Sequence, residues 1–112
     1  QLARSAARLA MERHAGTIQT VYGPEGTISV QYGKDLRGIK TVIGTGGPLI
    51  FNPSPAMVLG ETLYSAANPF SLKPKAPEFF LDDHYLLYAI GLMSEVEPHK
   101  ALRIAKKYLR RL

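Results

Sequence analysis

The stretch 39–48 constrains this chain more than any other. Ile39-Lys40-Thr41-Val42-Ile43 has the β-branched content of a short buried strand, and it runs directly into Gly44-Thr45-Gly46-Gly47-Pro48. Glycine weakens a strand and a helix interior alike, so the pattern predicts a strand that stops in a glycine loop. Asn52-Pro53-Ser54-Pro55 then predicts a helix running to about Ala66, with proline in the first turn where its missing N–H costs little. Strand, loop and helix in this order belong to an α/β architecture. Glycines let a backbone take positive φ and approach a flat or anionic ligand closely, which makes residues 44–48 a candidate ligand loop. It is not a Walker loop, because Lys and Ser or Thr do not follow at the required places. GxGxxG is absent as well. On spacing alone the ligand signal is weak, and a plain turn between strand and helix is the preferred account.

The flanking segments supply the rest of the α/β pattern. Leu2, Ala6, Leu9, Ala10 and Arg13 share one helical stripe, which predicts a helix over residues 1–15 closed by Gly16 as a left-handed cap. That pattern starts without methionine and without a clear N-cap, although Ser5 could cap a shorter version; this is expected of a truncated chain. Residues 17–22 and 27–32 are β-branched or alternating runs on either side of Gly23-Pro24-Glu25-Gly26, a β-hairpin signature. Residues 68–77 hold three prolines and predict an extended surface connection, followed by a short strand over 78–81. Asp82 or Asp83 can cap the next helix. There Leu86, Leu87, Ala89, Ile90 and Met93 make it apolar over much of its girth and predict a central place in the core. No segment repeats at a fixed period.

Composition sets the outer bounds. A chain of 112 residues, 46% apolar and 21% charged, suffices for one compact core, so residues 1–112 are expected to form a single domain. With no cysteine there is neither a disulfide framework nor a thiolate metal site. No apolar run approaches the roughly 20 residues that span a bilayer, and no signal core opens the chain; a cytoplasmic protein without a membrane partner is expected. The formal charge of +5 is concentrated at one end, where Lys100, Arg103, Lys106, Lys107, Arg110 and Arg111 interleave with Ala101, Leu102, Ala105, Tyr108, Leu109 and Leu112. This reads as an amphipathic terminal helix whose basic groups oppose the carbonyl end of the helix, and no nucleic-acid partner is expected from it.

Other reactive residue types lack a chemical context. His14, His84 and His99 are too far apart in sequence for a local metal motif, and no metal site is expected. Asp82 and Asp83 are adjacent carboxylates whose side chains point apart, which suits capping better than paired acid and base work. No GxSxG elbow is present. No catalytic residue is therefore expected in this chain.

The segment Lys40-Thr41-Val42-Ile43-Gly44-Thr45-Gly46-Gly47-Pro48-Leu49 resembles the adenosine motif of the superfamily of actin, heat-shock chaperones, and the sugar and acetate kinases. Three ordered blocks resemble one branch: Ala10-Met11-Glu12-Arg13-His14-Ala15-Gly16, the glycine strand, and Phe80-Leu81-Asp82-Asp83-His84-Tyr85 leading to Ala89-Ile90-Gly91-Leu92. That branch is the methylaspartate (glutamate) mutase accessory proteins, which include reactivating factors of aminomutases such as D-ornithine aminomutase.

The resemblance implies a fold that is part of the C-terminal lobe of an actin-like ATPase (ribonuclease H-like), with a small sheet, a β-hairpin and several packed helices. It implies an ATP-dependent, chaperone-like factor that releases damaged cobalamin from an adenosylcobalamin-dependent mutase or aminomutase. Adenine and ribose would lie against Gly44, Thr45, Gly46, Gly47 and Pro48. Arg13 and His14 would offer a nucleotide or interdomain contact, beside the simpler account that they oppose a helix dipole. ATP with Mg would belong to the longer parent, whose phosphate and Mg ligands are expected upstream of Gln1. This chain alone is expected to bind no cofactor tightly and to hydrolyse nothing. The missing N-terminal part of the same chain would be a second partner, after the mutase. Two other readings remain: a noncatalytic interaction module whose hairpin or basic helix docks an acidic partner, and a fragment of a sugar or acid kinase of the same superfamily.

Overall fold

The computed structural model describes residues 1–112, which divide into two compact units: residues 1–40 with 57–77, and residues 41–56 with 78–112. The element order is α1 (Leu2–His14), β1 (Thr17–Gly23), β2 (Gly26–Tyr32), β3 (Thr41–Gly44), α2 (Gly47–Ile50), α3 (Pro55–Gly60), β4 (Glu78–Leu81), α4 (Leu87–Ser94), α5 (Pro98–Tyr108) and β5 (Arg110–Arg111). No helix is long and apolar enough to cross a membrane.

The first unit is built on the hairpin. β1 and β2 pair antiparallel through seven residue pairs, from Thr17 opposite Tyr32 to Gly23 opposite Gly26. Pro24 fixes a negative φ at the first turn position, which excludes the primed turns usual in two-residue hairpins; Gly26 takes a φ of 114° as β2 begins. α1 forms as predicted but ends at His14, one residue short of the expected 1–15, and Gly16 is not its left-handed cap. The capping residue is Ala15, in an extended conformation (φ −73°, ψ 145°). Gly16 serves a close crossing of backbones instead: its N–H donates to Lys34 O at 2.7 Å and its carbonyl accepts from Leu72 N at 2.9 Å.

Residues 68–77 are not a surface connection. Ser71, Leu72, Lys73 and Pro74 are buried, and Thr17 bridges Ser71 in antiparallel fashion. The segment works as an extra strand-like edge: Phe70 O accepts from Ile18 N and Leu72 O from Leu36 N, each at 2.9 Å, and Pro74 O accepts from Tyr64 N at 2.8 Å. Proline lacks a donor but keeps its acceptor, so a proline-rich segment can be buried where its carbonyls are what the neighbours need. The predicted helix over 55–66 stops at Gly60, after burying Val58 and Leu59.

The second unit is a three-stranded sheet ordered β3-β4-β5, with β3 parallel to β4 and β5 antiparallel to it. Leu81 on the central strand is fully buried. The basic C-terminus is helical only to Tyr108. Arg110 and Arg111 then form β5, where Arg110 Nε donates to Asp83 Oδ2 at 2.8 Å and Arg111 Nη2 to Glu78 Oε1 at 3.1 Å. Two of the basic residues assigned to a solvated helix face thus bracket β4. Lys106 and Lys107 do lie in the last turn of α5, against its carbonyl end.

α4 packs against α5 but buries no residue, with Tyr88 74% and Leu92 69% exposed. Its predicted central place is not observed. Periodicity measures how apolar a helix is, not whether a partner exists for every side.

The Arg110 hydrogen bond, first among the causes, holds the Asp83 carboxyl below the ordinary carboxylate value. A depressed carboxylate contributes stability that is present above its unfolded pKa and lost as pH falls through its folded one. Arg110→Ala is therefore expected to move the Asp83 midpoint up toward the ordinary value. Asp35, held at about 2 chiefly by its hydrogen bond from Arg37, should not move. Carboxyl-carbon NMR between pH 6 and about pH 1 reads both. An unmoved Asp83 would show that the ion pair does not hold β5.

Candidate functional site

β3 and β4 run parallel and in register, Thr41 with Glu78 through Gly44 with Leu81, so both deliver their carboxyl ends to one edge. In open α/β sheets ligands bind outside the carboxyl ends of parallel strands. Here that edge holds the glycine loop and the turn from β4 to α4. Asp82 N donates to Gly44 O at 2.8 Å, carrying the strand pairing one residue further.

Within the loop, one glycine is conformationally required. Gly46 has φ 94° and ψ 159°, a region that essentially only glycine occupies. A Cβ there would meet nothing closer than Pro48 Cδ at 3.9 Å, so the requirement is of the backbone and not of space. Gly46 O accepts from Leu49 N and Ile50 N, which starts α2 as a single turn with Pro48 near its beginning. Gly47 is under no such demand: its φ is ordinary, and a Cβ would sit 3.8 Å from Phe51 and 3.9 Å from the Tyr85 hydroxyl.

Thr45 is held from the other turn. Its hydroxyl donates to Asp82 Oδ2 at 3.1 Å. Asp82, 3% exposed, also accepts from Leu86 N at 2.9 Å through Oδ1 and from Leu87 N at 3.1 Å through Oδ2. Of the two adjacent carboxylates, Asp82 is the one that caps. It does so from four residues before the N-cap position, which Leu86 occupies. The intervening turn places Tyr85 at φ 56°, the only non-glycine residue with positive φ. Backbone strain of this kind costs on the order of 1–3 kcal/mol and concentrates at ligand sites.

Thr45, Asp82, Tyr85, Leu87 and Tyr88 enclose an open cavity of about 310 Å³. It has two phenol rings, an apolar wall and a few polar groups, the usual lining of a small-molecule site. Tyr85 and Tyr88 were not singled out by sequence reasoning as site residues. Their signal is a spacing: the third and sixth positions after a capping aspartate share one side of the turn that the cap creates.

Gly44, Thr45, Gly46, Gly47 and Pro48 all lie in the second unit, at this edge. Arg13 and His14 lie in the first unit, exposed in the last turn of α1, where they oppose its carbonyl end. Asp83 turns to Arg110. His84 stands edge-on to Tyr108, with ring centroids 5.8 Å apart, and 3.8 Å from Asp83 Oδ1. No three His, Asp or Glu side chains gather as a metal group.

A family profile described as MutL protein matches residues 1–109. The chain is 46% identical over 108 residues to a protein of Clostridium tetanomorphum called Protein MutL, covering 96% of this chain and 23% of that relative. This chain thus spans about a quarter of the relative's length. No solved structure matches it.

Proposed function

The chain belongs to the MutL protein family, that of the methylaspartate mutase accessory proteins, and from this premise we propose that it forms the adenosine-side part of an ATP-dependent reactivating factor. The observation that carries this reading is the backbone of Gly46, held in a glycine-only conformation at the carboxyl end of β3, beside Thr45 and a cavity with two tyrosines. In this reading the adenine lies against the flat backbone of 44–47 and the rings of Tyr85 and Tyr88, since stacking on an aromatic face suits any base. The Thr45 hydroxyl donates to Asp82 and keeps lone pairs free to accept from a ribose hydroxyl.

ATP with Mg would be completed by the longer protein, whose actin-like lobes close around the nucleotide. Phosphate chemistry would stay outside these 112 residues, and closure would work on an adenosylcobalamin-dependent mutase or aminomutase whose damaged cobalamin is to be released. Arg13 and His14 would serve as contacts to the nucleotide or the other lobe. A cytoplasmic setting fits this partner.

A second reading, a protein-interaction module, is favoured by the exposed apolar side of α4, where Tyr88 and Leu92 project. Docking of an acidic partner on the C-terminus would have to compete with Asp83 and Glu78 for Arg110 and Arg111.

The test is an amide NMR titration with adenosine and then Mg-ATP. Saturable shifts are expected at Gly44, Gly46, Gly47 and Tyr85. Gly46→Asp, which adds strain and a like charge, is expected to weaken binding about tenfold or more. A flat response at millimolar nucleotide would sink the adenosine reading and leave the interaction module.

A further inference from the structure

The first unit contains a cavity of about 600 Å³ between α1 and residues 57–73, with charges on both walls. Arg4, Arg8 and Glu12, each four residues apart, form one stripe of α1 facing it; Glu61 and Lys73 come from the opposite side. Three cations against two carboxylates leave one positive charge in excess. Arg4 is spent on Glu61, bonding Oε1 through Nε at 2.8 Å and through Nη2. Arg8 Nη1 bonds Glu12 Oε1 at 3.0 Å.

Lys73 shares its carboxylate. It is 5% exposed, and its ion-pair partner, the same Glu12 Oε1 that accepts from Arg8, stands 3.7 Å from Nζ, beyond hydrogen-bond length. Lysine is almost never buried unless paired, because an ammonium taken out of water needs acceptors for its three donors. The backbone on either side of Lys73 fixes where its side chain starts. Its neighbours are clamped, Leu72 by hydrogen bonds to Gly16 and Leu36, Pro74 by one from Tyr64, and Leu72 and Pro74 are fully buried.

The rest of the wall is different in kind: Met57, Leu63, Tyr64 and Ala67 supply an apolar side. A volume of this size exceeds what a bare inorganic anion fills and lies within the range of small-molecule sites.

We propose that this cavity binds a small organic anion, a phosphate or carboxylate on an apolar body, with Lys73 and Arg8 holding the charge and Tyr64 and Leu63 the body. The site lies wholly in the first unit and is independent of the adenosine reading, which concerns residues of the second.

The probe is phenyl phosphate, titrated into the chain while the amides of Lys73, Tyr64 and Asn68 are followed by NMR, with inorganic phosphate and benzyl alcohol as the charge-only and body-only controls. Saturable shifts at these three residues are expected, with phenyl phosphate at least tenfold tighter than either control. Lys73→Met, which keeps the length of the side chain and removes a buried charge, is expected to keep or raise the melting temperature and to weaken binding about thirtyfold. Should that variant unfold, Arg8→Gln, at an exposed side chain, is expected to weaken binding severalfold with the fold intact. No saturation at these residues, or equal binding of benzyl alcohol, would overturn the proposal. Undiminished affinity in a folded Lys73→Met or Arg8→Gln chain would do the same.

Discussion

Replacing Gly16 by alanine is expected to lower the melting temperature by more than 10 °C, the largest effect of any single methyl group in this chain. A Cβ at Gly16 would lie 2.3 Å from Tyr32 O, 2.7 Å from Gly33 C and 2.7 Å from Lys34 N. All three are backbone atoms, so no side chain can rotate away. The crossing cannot relax by sliding either, since Gly16 bonds Lys34 on one side and Leu72 on the other. Overpacking commonly costs about 1–3 kcal/mol, and a clash confined to hydrogen-bonded backbone belongs at or above the upper end. For a unit of this size each kilocalorie is worth roughly 4–8 °C. Gly38→Ala is the control: nothing lies within 4 Å of its Cβ position and its φ is ordinary, so it should change stability by only a few tenths of a kcal/mol or raise it. Calorimetry of the two variants decides. Equal melting temperatures would mean that the crossing of 15–17 with 32–34 and 71–72 is not tightly packed.

The second large effect is expected at Asp82. Alanine there removes the acceptor for Thr45 Oγ1, Leu86 N and Leu87 N together, from a position that water scarcely reaches. Losing a cap costs about 1 kcal/mol and stranding buried donors more, so a loss of about 2–4 kcal/mol is expected. Asn keeps one accepting oxygen and should fall between. Hydrogen exchange at Leu86 and Leu87 should accelerate together with broadening of the Gly46 amide, because the same carboxylate ties the turn before α4 to the glycine loop. Faster exchange at Leu86 with a sharp, unmoved Gly46 would separate the cap from the loop and weaken the case for a single site.

Much of this layout is legible in the residues themselves. The hairpin is written in a β-branched run and an alternating run around Gly-Pro-Glu-Gly, and a strand before the glycines in its β-branched content; both signals are local, and both elements form. The strand, expected buried over 39–43, instead runs Thr41–Gly44 with Thr41 and Ile43 exposed, because local composition does not show which neighbours cover it. The 78–81 strand is found with its bounds unchanged. What is not legible depends on partners distant in sequence. Gly16 looks like a helix cap because its reason, the backbone of 32–34, lies on the far side of the hairpin. Residues 68–77 look like a surface tether because proline count says nothing about which carbonyls are wanted. α4 looks like a core helix because apolarity does not reveal coverage. At the candidate site the glycines are conspicuous, whereas Asp82 reads only as a cap; that its second oxygen also holds Thr45 depends on the parallel pairing of β3 with β4.

Neither unit is continuous in sequence, for residues 41–56 leave the first before 57–77 return to it. This interleaving sets an order on biosynthesis. While these residues emerge from the ribosome, α1 and the hairpin come before the rest of their unit, but the seam formed by Leu72 with Gly16 and Leu36 cannot close until residue 72 has followed. β3 and its glycine loop have by then already been made, and they wait without the neighbouring strand, since β4 begins at Glu78. The nascent chain therefore completes the Lys73 unit first, and the loop of 44–48 acquires its strand partner only once residues 78–81 have followed.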